Sequence, residues 1–200
     1  MSCVILVDVD GSDVSSPTMM LEDRYLVWRL KQGSPGALCR IYNRYESDLL
    51  TLAKSLLGRM DQAEDVLQDV FVRFIESIDS FELTGSLKGY LVTCVANRAR
   101  DYLRKDRRRV GEPIEAADAV ISQRRGPLQE VIADEQQQRL TAALAELPYE
   151  QREAVLLHLQ TGLKLREVAH VQGVSAKTAE SRYRYGLNRL QSMLNGQEEV

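Results

Sequence analysis

Three cysteines, two histidines and one tryptophan are all that this 200-residue chain holds of the residues that most often build metal, redox or stacked-cofactor sites. Cys3, Cys39 and Cys94 are odd in number, scattered, and include no CxxC pair. They read as free thiols of a reducing, cytoplasmic setting, and they argue against a structural zinc site. With only His158 and His170 available, a histidine-based metal centre is argued against as well. No metal or other cofactor is expected. Five prolines and twelve glycines are too few for a disordered or fibrous chain. No apolar run approaches the roughly 20 residues of a membrane span, so no membrane insertion is expected. The short apolar stretch at residues 4–7 is preceded by no basic residue and followed by acids, unlike a signal peptide. What remains is a chain with 44% apolar residues, enough for one large domain or two small ones.

The formal net charge of −3 conceals a pattern. Residues 1–23 carry five acids and no Lys or Arg, whereas residues 98–109 carry seven bases against two acids. Residues 111–139 return to −3, and residues 175–190 rise to +3 through Lys177, Arg182, Arg184 and Arg189 against Glu180. Two basic patches separated by an acidic stretch point to two contacts with an anionic polymer. Each run taken alone reads equally well as a solvated helix face.

The apolar periodicity is helical almost throughout. A first helix over residues 21–31 ends at Gly33, and Ser34 and Pro35 suit the start of the next. There Leu38, Ile41, Tyr42, Tyr45, Leu49, Leu52, Ala53 and Leu56 form one stripe. Asp61, with Glu64 three residues on, reads as a capping box for a third helix with the stripe Leu67, Val70, Phe71, Phe74 and Ile78. After a loop at 79–85, Ser86 caps a helix whose apolar side is Leu87, Leu91, Cys94, Val95 and Tyr102. From residue 110 to 127 the periodicity fails among Gly111, Pro113, Gly126 and Pro127, which reads as a linker. Helices resume near Leu128, run to Leu147, and restart at Pro148; Gly162 then breaks the chain. Only residues 4–9 hint at a strand. The expectation is an all-α protein of two small helical domains: an acidic, disordered tail at 1–20, a first domain at 21–109, a flexible linker at 110–127, a second domain at 128–195, and a tail at 196–200.

Residues 165–190 have the spacing of a helix-turn-helix. Ala169 is small where two helices cross, and Gly173 lies four residues later where the turn needs positive φ. Val168 and Val174 fill the small core, and Ser175 caps the second helix. Its inward stripe is Ala179, Tyr183, Leu187, Leu190 and Leu194. Roughly opposite lie Thr178, Ser181, Arg182, Tyr185 and Arg189, flanked by Lys177 and Arg184. Short hydroxyls and arginines near a helix N-terminus suit base edges, with flanking bases on phosphates.

In the first unit, Thr93, Asn97, Arg100, Asp101, Arg104 and Arg108 share one helix face that continues into Lys105 and the arginines up to Arg109. That face suits nucleic acid, or equally a solvated helix end whose bases complement the dipole. Arg98 falls among the apolar positions, its stem buried and its head reaching out. The helix after Asp61 is opposite in charge: Asp61, Glu64, Asp65, Gln68 and Asp69 crowd its first two turns. With no histidine and no second carboxylate cluster, a nuclease-type metal site is a poor fit. A docking face for a basic partner fits better, with a plain solvated face as the alternative. His158 and His170 have no partner motif and read as packing or surface residues.

Two segments carry a family resemblance. AEDVLQDVFVRF (63–74) followed by SLKGYLVTCVANRARDYLRKDRRR (86–109) resembles the conserved core of bacterial RNA polymerase sigma factors of the extracytoplasmic-function type. LPYEQREAVLLHLQTGLKLREVAHVQGVSAKTAESRYRYGLNRL (147–190) resembles their second conserved domain. Both blocks in this order, with a linker between, are highly specific. The resemblance implies that Asp61, Glu64, Asp65, Gln68, Asp69 and Arg73 dock on the clamp coiled coil of core RNA polymerase, the second domain meeting its flap. It implies a minus-ten promoter reader made of the 79–85 loop, Ser86, Asn97, Arg100, Asp101, Arg104, Lys105 and Arg108, with a base flipped from the non-template strand. Phe81 is either a stacking platform for that base or loop packing. The minus-thirty-five reader is implied at Ser175, Lys177, Thr178, Ser181, Arg182, Arg184, Tyr185 and Arg189, and an anti-sigma factor is an implied partner. Tyr90 stands where many relatives have Trp, which keeps an aromatic core role. Ala179 and Glu180 replace a Val and a basic residue, so an acid sits beside the recognition helix core. The acidic tail has no counterpart, and Met19 or Met20 offers an alternative start.

The reading is a non-catalytic transcription initiation factor that binds core RNA polymerase and promoter DNA, with no small-molecule substrate. Its overall negative charge fits weak binding of free DNA, with affinity arising when polymerase holds both domains. The alternative is a stand-alone helix-turn-helix regulator with an N-terminal sensor or dimerisation domain, which would have no need of an acidic helix beside an Asn/Arg helix.

Overall fold

The computed structural model describes residues 17–110 and 133–195, and every regular element among them is an α-helix. The strand hinted at over residues 4–9, the linker after residue 110, the helix start near Leu128 and the tail at 196–200 lie outside the described residues. The first unit comprises α1 (Pro17–Lys31), α2 (Pro35–Leu57), α3 (Met60–Glu76) and α4 (Leu87–Val110). The second comprises α5 (Ala133–Ala145), α6 (Tyr149–Leu159), α7 (Leu165–Gln172) and α8 (Ala176–Asn195).

α1 starts four residues before the apolar pattern does. It ends at Gly33, whose φ of 76° is a left-handed conformation that favours glycine, and Pro35 opens α2. Leu26, Val27 and Leu30 bury α1 against α2. Asp23, the last of the five acids of residues 1–23, is only 1% exposed. Its carboxylate accepts hydrogen bonds from Arg44 at 2.9 Å and from the Tyr45 hydroxyl at 2.6 Å. Burial, helped by that carboxylate, pushes the Tyr45 phenol well above its ordinary value. Asp23 is therefore a structural clasp between α1 and α2.

The α2 stripe packs as its period requires, with Ile41, Tyr45, Leu49, Leu52, Ala53 and Leu56 inside and Leu38 and Tyr42 at the rim. Ala37 and Leu57 join it. α3 buries Leu67, Val70, Phe71 and Phe74, and also Ala63 and Val66. Its start differs from expectation. The N-cap is Arg59, without a side-chain cap, and the Asp61–Glu64 capping box does not form. The helix begins early enough to place Asp61 inside its first turn, where Arg59 pairs with the carboxylate at 2.6 Å and lowers its pKa. Ser34 does not cap either; its hydroxyl meets Arg29 at 3.4 Å instead. Ser86 does cap α4, accepting from the Gly89 amide at 3.3 Å.

In the second unit Gly173 turns at φ 66°, and Ser175 caps α8 by accepting from the Thr178 amide at 3.1 Å. Val168, Ala169 and Ala179 are buried and Val174 packs beside them, as the helix-turn-helix spacing predicts. Gly186 is a further close approach, since a Cβ there would lie 2.9 Å from Val155 Cγ2 and 3.1 Å from the Gln151 carbonyl. His158 is packing: Nδ1 lies 2.7 Å from the Leu163 carbonyl and the ring meets Tyr183 edge-on, while His170 is exposed.

The two units do not lie apart. α6 packs on α2, α7 packs on α4, and one continuous core runs through both units. α6 makes this possible because it is buried nearly all round: Tyr149, Ala154, Val155, Leu156 and Leu157 lie inside, and so do Arg152 and Glu153.

Candidate nucleic-acid interface

Three surfaces carry the predicted residues. On α3, Asp61, Glu64, Asp65 and Gln68 are exposed, forming an anionic face at the helix N-terminus where the dipole tolerates it, and Arg73 is exposed in the last turn. Asp69 is half-occupied: Arg98 of α4 donates to its carboxylate through Nε at 2.8 Å and through Nη2. Arg98 thus reaches out as its stem burial implied, but its head ends in an ion pair. The sequence reading missed the exposed Met60, Val72 and Ile75 that lie beside or continue this face. Their signal was an apolar residue at a position the period assigns to the outside.

On α4, Asn97, Arg100 and Asp101 are half-buried and Arg104, Lys105 and Arg108 exposed, with Arg104 pairing to Asp101 at 2.8 Å. Thr93, predicted on the same face, is only 5% exposed, and its hydroxyl donates to the Gly89 carbonyl. The outward face therefore begins at Asn97, because the second unit covers the turn before it: a Cβ on Gly89 would lie 4.0 Å from Leu163. Phe81 packs edge-on against Phe74 at 5.3 Å between ring centroids and tilted against Tyr90 at 4.7 Å. Its ring belongs to the aromatic cluster under the 79–85 loop, which favours loop packing over a free stacking platform. Tyr90 keeps the expected aromatic core role. Ser86 is engaged as a helix cap.

On α8, Lys177, Thr178, Arg184, Tyr185 and Arg189 are exposed and Ser181 is half-buried. Tyr185 is 57% exposed with the Arg184 guanidinium 5.4 Å from its ring, a cation–π pair held outward. Ser175 shares its hydroxyl with Thr178 at 2.8 Å. Arg182 turns back to donate to Gln172 Oε1 at 3.0 Å.

One residue absent from the sequence reading links two of these surfaces. Glu153 of α6 is 1% exposed, inside the core although it ends a run of four polar residues, Glu150–Glu153. It accepts from Arg100 Nη2 at 2.8 Å, from the Tyr149 hydroxyl at 3.1 Å and from Gln172 Nε2 at 3.0 Å. Burial pushes the Glu153 carboxyl up, and the Arg100 charge with its three hydrogen-bond partners only partly offsets that. Arg100 also donates to Asn97 Oδ1 at 3.0 Å and to the Val171 carbonyl at 3.2 Å.

Residues 41–109 match the family model of Sigma-70 region 2, and residues 137–190 match that of Sigma-70 region 4. The chain is 32% identical over 146 residues to the ECF RNA polymerase sigma factor EcfG of Rhodopseudomonas palustris, covering 73% of this chain and 78% of that one. This chain belongs to the ECF sigma factors. It is 28% identical over 185 residues to the RNA polymerase sigma factor CnrH of Cupriavidus metallidurans, covering 88% of this chain and 96% of that one. Among solved structures, the sigma factor RpoE of Bartonella quintana, in complex with the anti-sigma factor NepR, aligns with a TM-score of 0.62 and 31% identity over 78% of this chain and 95% of that one. CnrH in complex with the cytosolic domain of CnrY shares the fold, with a TM-score of 0.65 and 23% identity over 88% of this chain and 98% of that one.

As an ECF sigma factor the protein directs RNA polymerase to promoters. Region 2 spans α2 through α4 and region 4 spans α5 through α8, so the basic end of α4 and the helix-turn-helix fall one in each region. No described helix is long and apolar enough to cross a membrane.

Proposed function

We propose that the sigma factor reads promoters through two residue sets. Asn97, Arg100, Asp101, Arg104, Lys105 and Arg108 serve the minus-ten element, and Lys177, Thr178, Ser181, Arg182, Arg184, Tyr185 and Arg189 serve the minus-thirty-five element. Asp61, Glu64, Asp65, Gln68 and Arg73, with Val72 and Ile75, dock on polymerase; Asp69 stiffens that face through Arg98. The first domain runs from α1 through residue 109 and the second from about residue 128 to 195. The observation that carries this is the outward array on α8. A capped helix N-terminus presents hydroxyls and arginines opposite a buried Ala179–Leu190 side, which suits insertion into a major groove. The protein performs no chemical step itself and acts in the cytoplasm, where its polymerase works. The RpoE likeness supports an anti-sigma factor as a further partner. Pull-down with core RNA polymerase and run-off transcription on a promoter library test the reading. Stable binding with transcripts sharing a two-part promoter is the expected result. Sequence-specific binding of duplex DNA without polymerase binding would return it to a stand-alone regulator.

A further inference from the structure

Helix α1 is apolar on two opposite sides. Leu26, Val27 and Leu30 are buried on the side that packs against α2. On the other side Leu21, Tyr25 and Trp28 follow one another at four and three residues, which places them on one face, and they are 68%, 51% and 55% exposed. The Tyr25 and Trp28 rings lie 6.1 Å apart, tilted by 31°. A helix packed on one side normally turns polar residues to water on the other, so three large apolar side chains in a row there mark a face that is covered in use. Arg24 and Arg29 flank the stripe on its two sides, both exposed. Glu22, on the Arg29 side, is already taken by Arg44 at 2.6 Å. The stripe therefore fits an occupant that is apolar along its middle and anionic at its edges. A second copy of the same stripe would bring arginine rims together, which like-charge repulsion opposes.

From this we infer that the occupant is the chain's own N-terminal segment, residues 4–10, laid back along the outer face of α1. Residues 1–16 carry Asp8, Asp10 and Asp13 and no Lys or Arg, the charge that Arg24 and Arg29 call for. Their apolar residues are concentrated in Val4, Ile5, Leu6, Val7 and Val9. In an extended segment alternate residues share a side, so Ile5, Val7 and Val9 face the stripe together. The interleaved Asp8 and Asp10 leave that side and are free to turn to the long flanking arginines. The lengths agree: Ile5 to Val9 spans about 13 Å when extended, and Leu21 to Trp28 about 10 Å of helix. Residues 10–16 need only carry the chain back over the roughly 6 Å of helix between Leu21 and Pro17, and at about 3.5 Å each they reach well beyond it. Gly11 and Ser12 are residue types that suit the reversal. The tether makes the docking intramolecular, at an effective concentration of about 1 mM, which favours this segment over a free partner of the same chemistry. α1 is then gripped twice, by the Asp23 clasp within and by the acidic arm without.

Trp28 is the only tryptophan in the chain, so its fluorescence reports on the stripe directly. The full chain is compared with a variant lacking residues 2–16. Truncation is expected to move the emission to longer wavelength and to raise quenching by acrylamide about two-fold, because the ring is 55% exposed once nothing covers it. Two point variants leave α1 untouched: Val7→Ser with Val9→Ser, which weakens the apolar contact, and Asp8→Lys with Asp10→Lys, which reverses the charge. Both are expected to move quenching toward the truncated value, and added salt is expected to do so in the native chain. Equal emission and equal quenching in the full and truncated proteins overturn the inference. Protection that is lost on dilution and accompanied by a dimer in sedimentation also overturns it, and assigns the stripe to a second copy. Should truncation unfold α1, the point variants decide: a Trp28 as protected in both as in the native chain overturns the inference.

Discussion

Replacing Asp23 by alanine removes the acceptor that holds α1 to α2. The Tyr45 hydroxyl, on a residue 2% exposed, then has no carboxylate 2.6 Å away, and Arg44 keeps only Glu22 at 2.6 Å. Leaving a buried hydroxyl unsatisfied costs about 1–3 kcal/mol. Losing one partner of a fully buried ion pair costs about 3–5 kcal/mol, but the Arg44 side chain is 23% exposed and retains a second carboxylate, so that part is cut to roughly 1 kcal/mol. Together Asp23→Ala is expected to destabilise the protein by about 2–4 kcal/mol. With a urea m-value of about 2 kcal/mol/M, the unfolding midpoint moves down by about 1–2 M. Tyr45→Phe removes only the hydroxyl and is expected to cost about 1 kcal/mol. The double variant is expected to fall short of the sum by about 1 kcal/mol, since both changes break one contact. A loss under about 0.5 kcal/mol for Asp23→Ala, the range of an ordinary surface change, would refute the clasp and return Asp23 to the solvated acids of the N-terminus.

Gly186→Ala gains up to about 1 kcal/mol of helix propensity, yet its methyl meets the stiff Val155 side chain at 2.9 Å, so a net loss of about 1–2 kcal/mol is expected in thermal or urea unfolding. Because the folded Glu153 carboxyl is raised above its ordinary 4.5, the folded protein holds that proton longer than the unfolded chain. Stability is therefore expected to fall as pH rises from about 4.5 through the raised value, and Glu153→Gln should flatten that slope in urea midpoints taken from pH 5 to 8. Glu64→Lys with Asp65→Lys is expected to abolish polymerase pull-down with unchanged circular dichroism, whereas Asp69→Lys faces Arg98 and should lower the melting temperature as well. Arg182→Ala is expected to weaken discrimination among minus-thirty-five sequences by about 1–3 kcal/mol; an equal loss on every sequence would reassign it to phosphate.

Most of the fold was legible because each helix carries its own apolar period. The stripes of α2 and α3 pack as their period requires, α4 buries Leu87, Leu91 and Val95 with Cys94 and Tyr102 at the rim, and Ser86, Ser175 and Gly173 act where their residue types demand. The readings that failed depended on a distant partner. Asp23 looks like a tail acid until Arg44 and Tyr45 arrive from the next helix, and Thr93 looks exposed until the second unit covers its turn. Asp61 is the local exception, lost because the helix begins at Met60 and a neighbouring arginine outcompetes the cap. Glu153 was missed for a subtler reason: at the end of the polar run Glu150–Glu153 it reads as one more solvated charge, and only the fold supplies the arginine 53 positions away that makes its burial tolerable. The three site surfaces were legible by residue type, whereas what each side chain is doing before DNA arrives was not.

α6 faces α2 on one side and α8 on the other, so it is a shared wall between two rooms. Recombination between relatives is usually imagined at the stretch joining the two regions. Here the true seam runs along the α2-facing side of α6. A hybrid that takes region 4 from a relative inherits a wall papered for a different neighbour, and it should tolerate the exchange only when α2 and that face of α6 travel together.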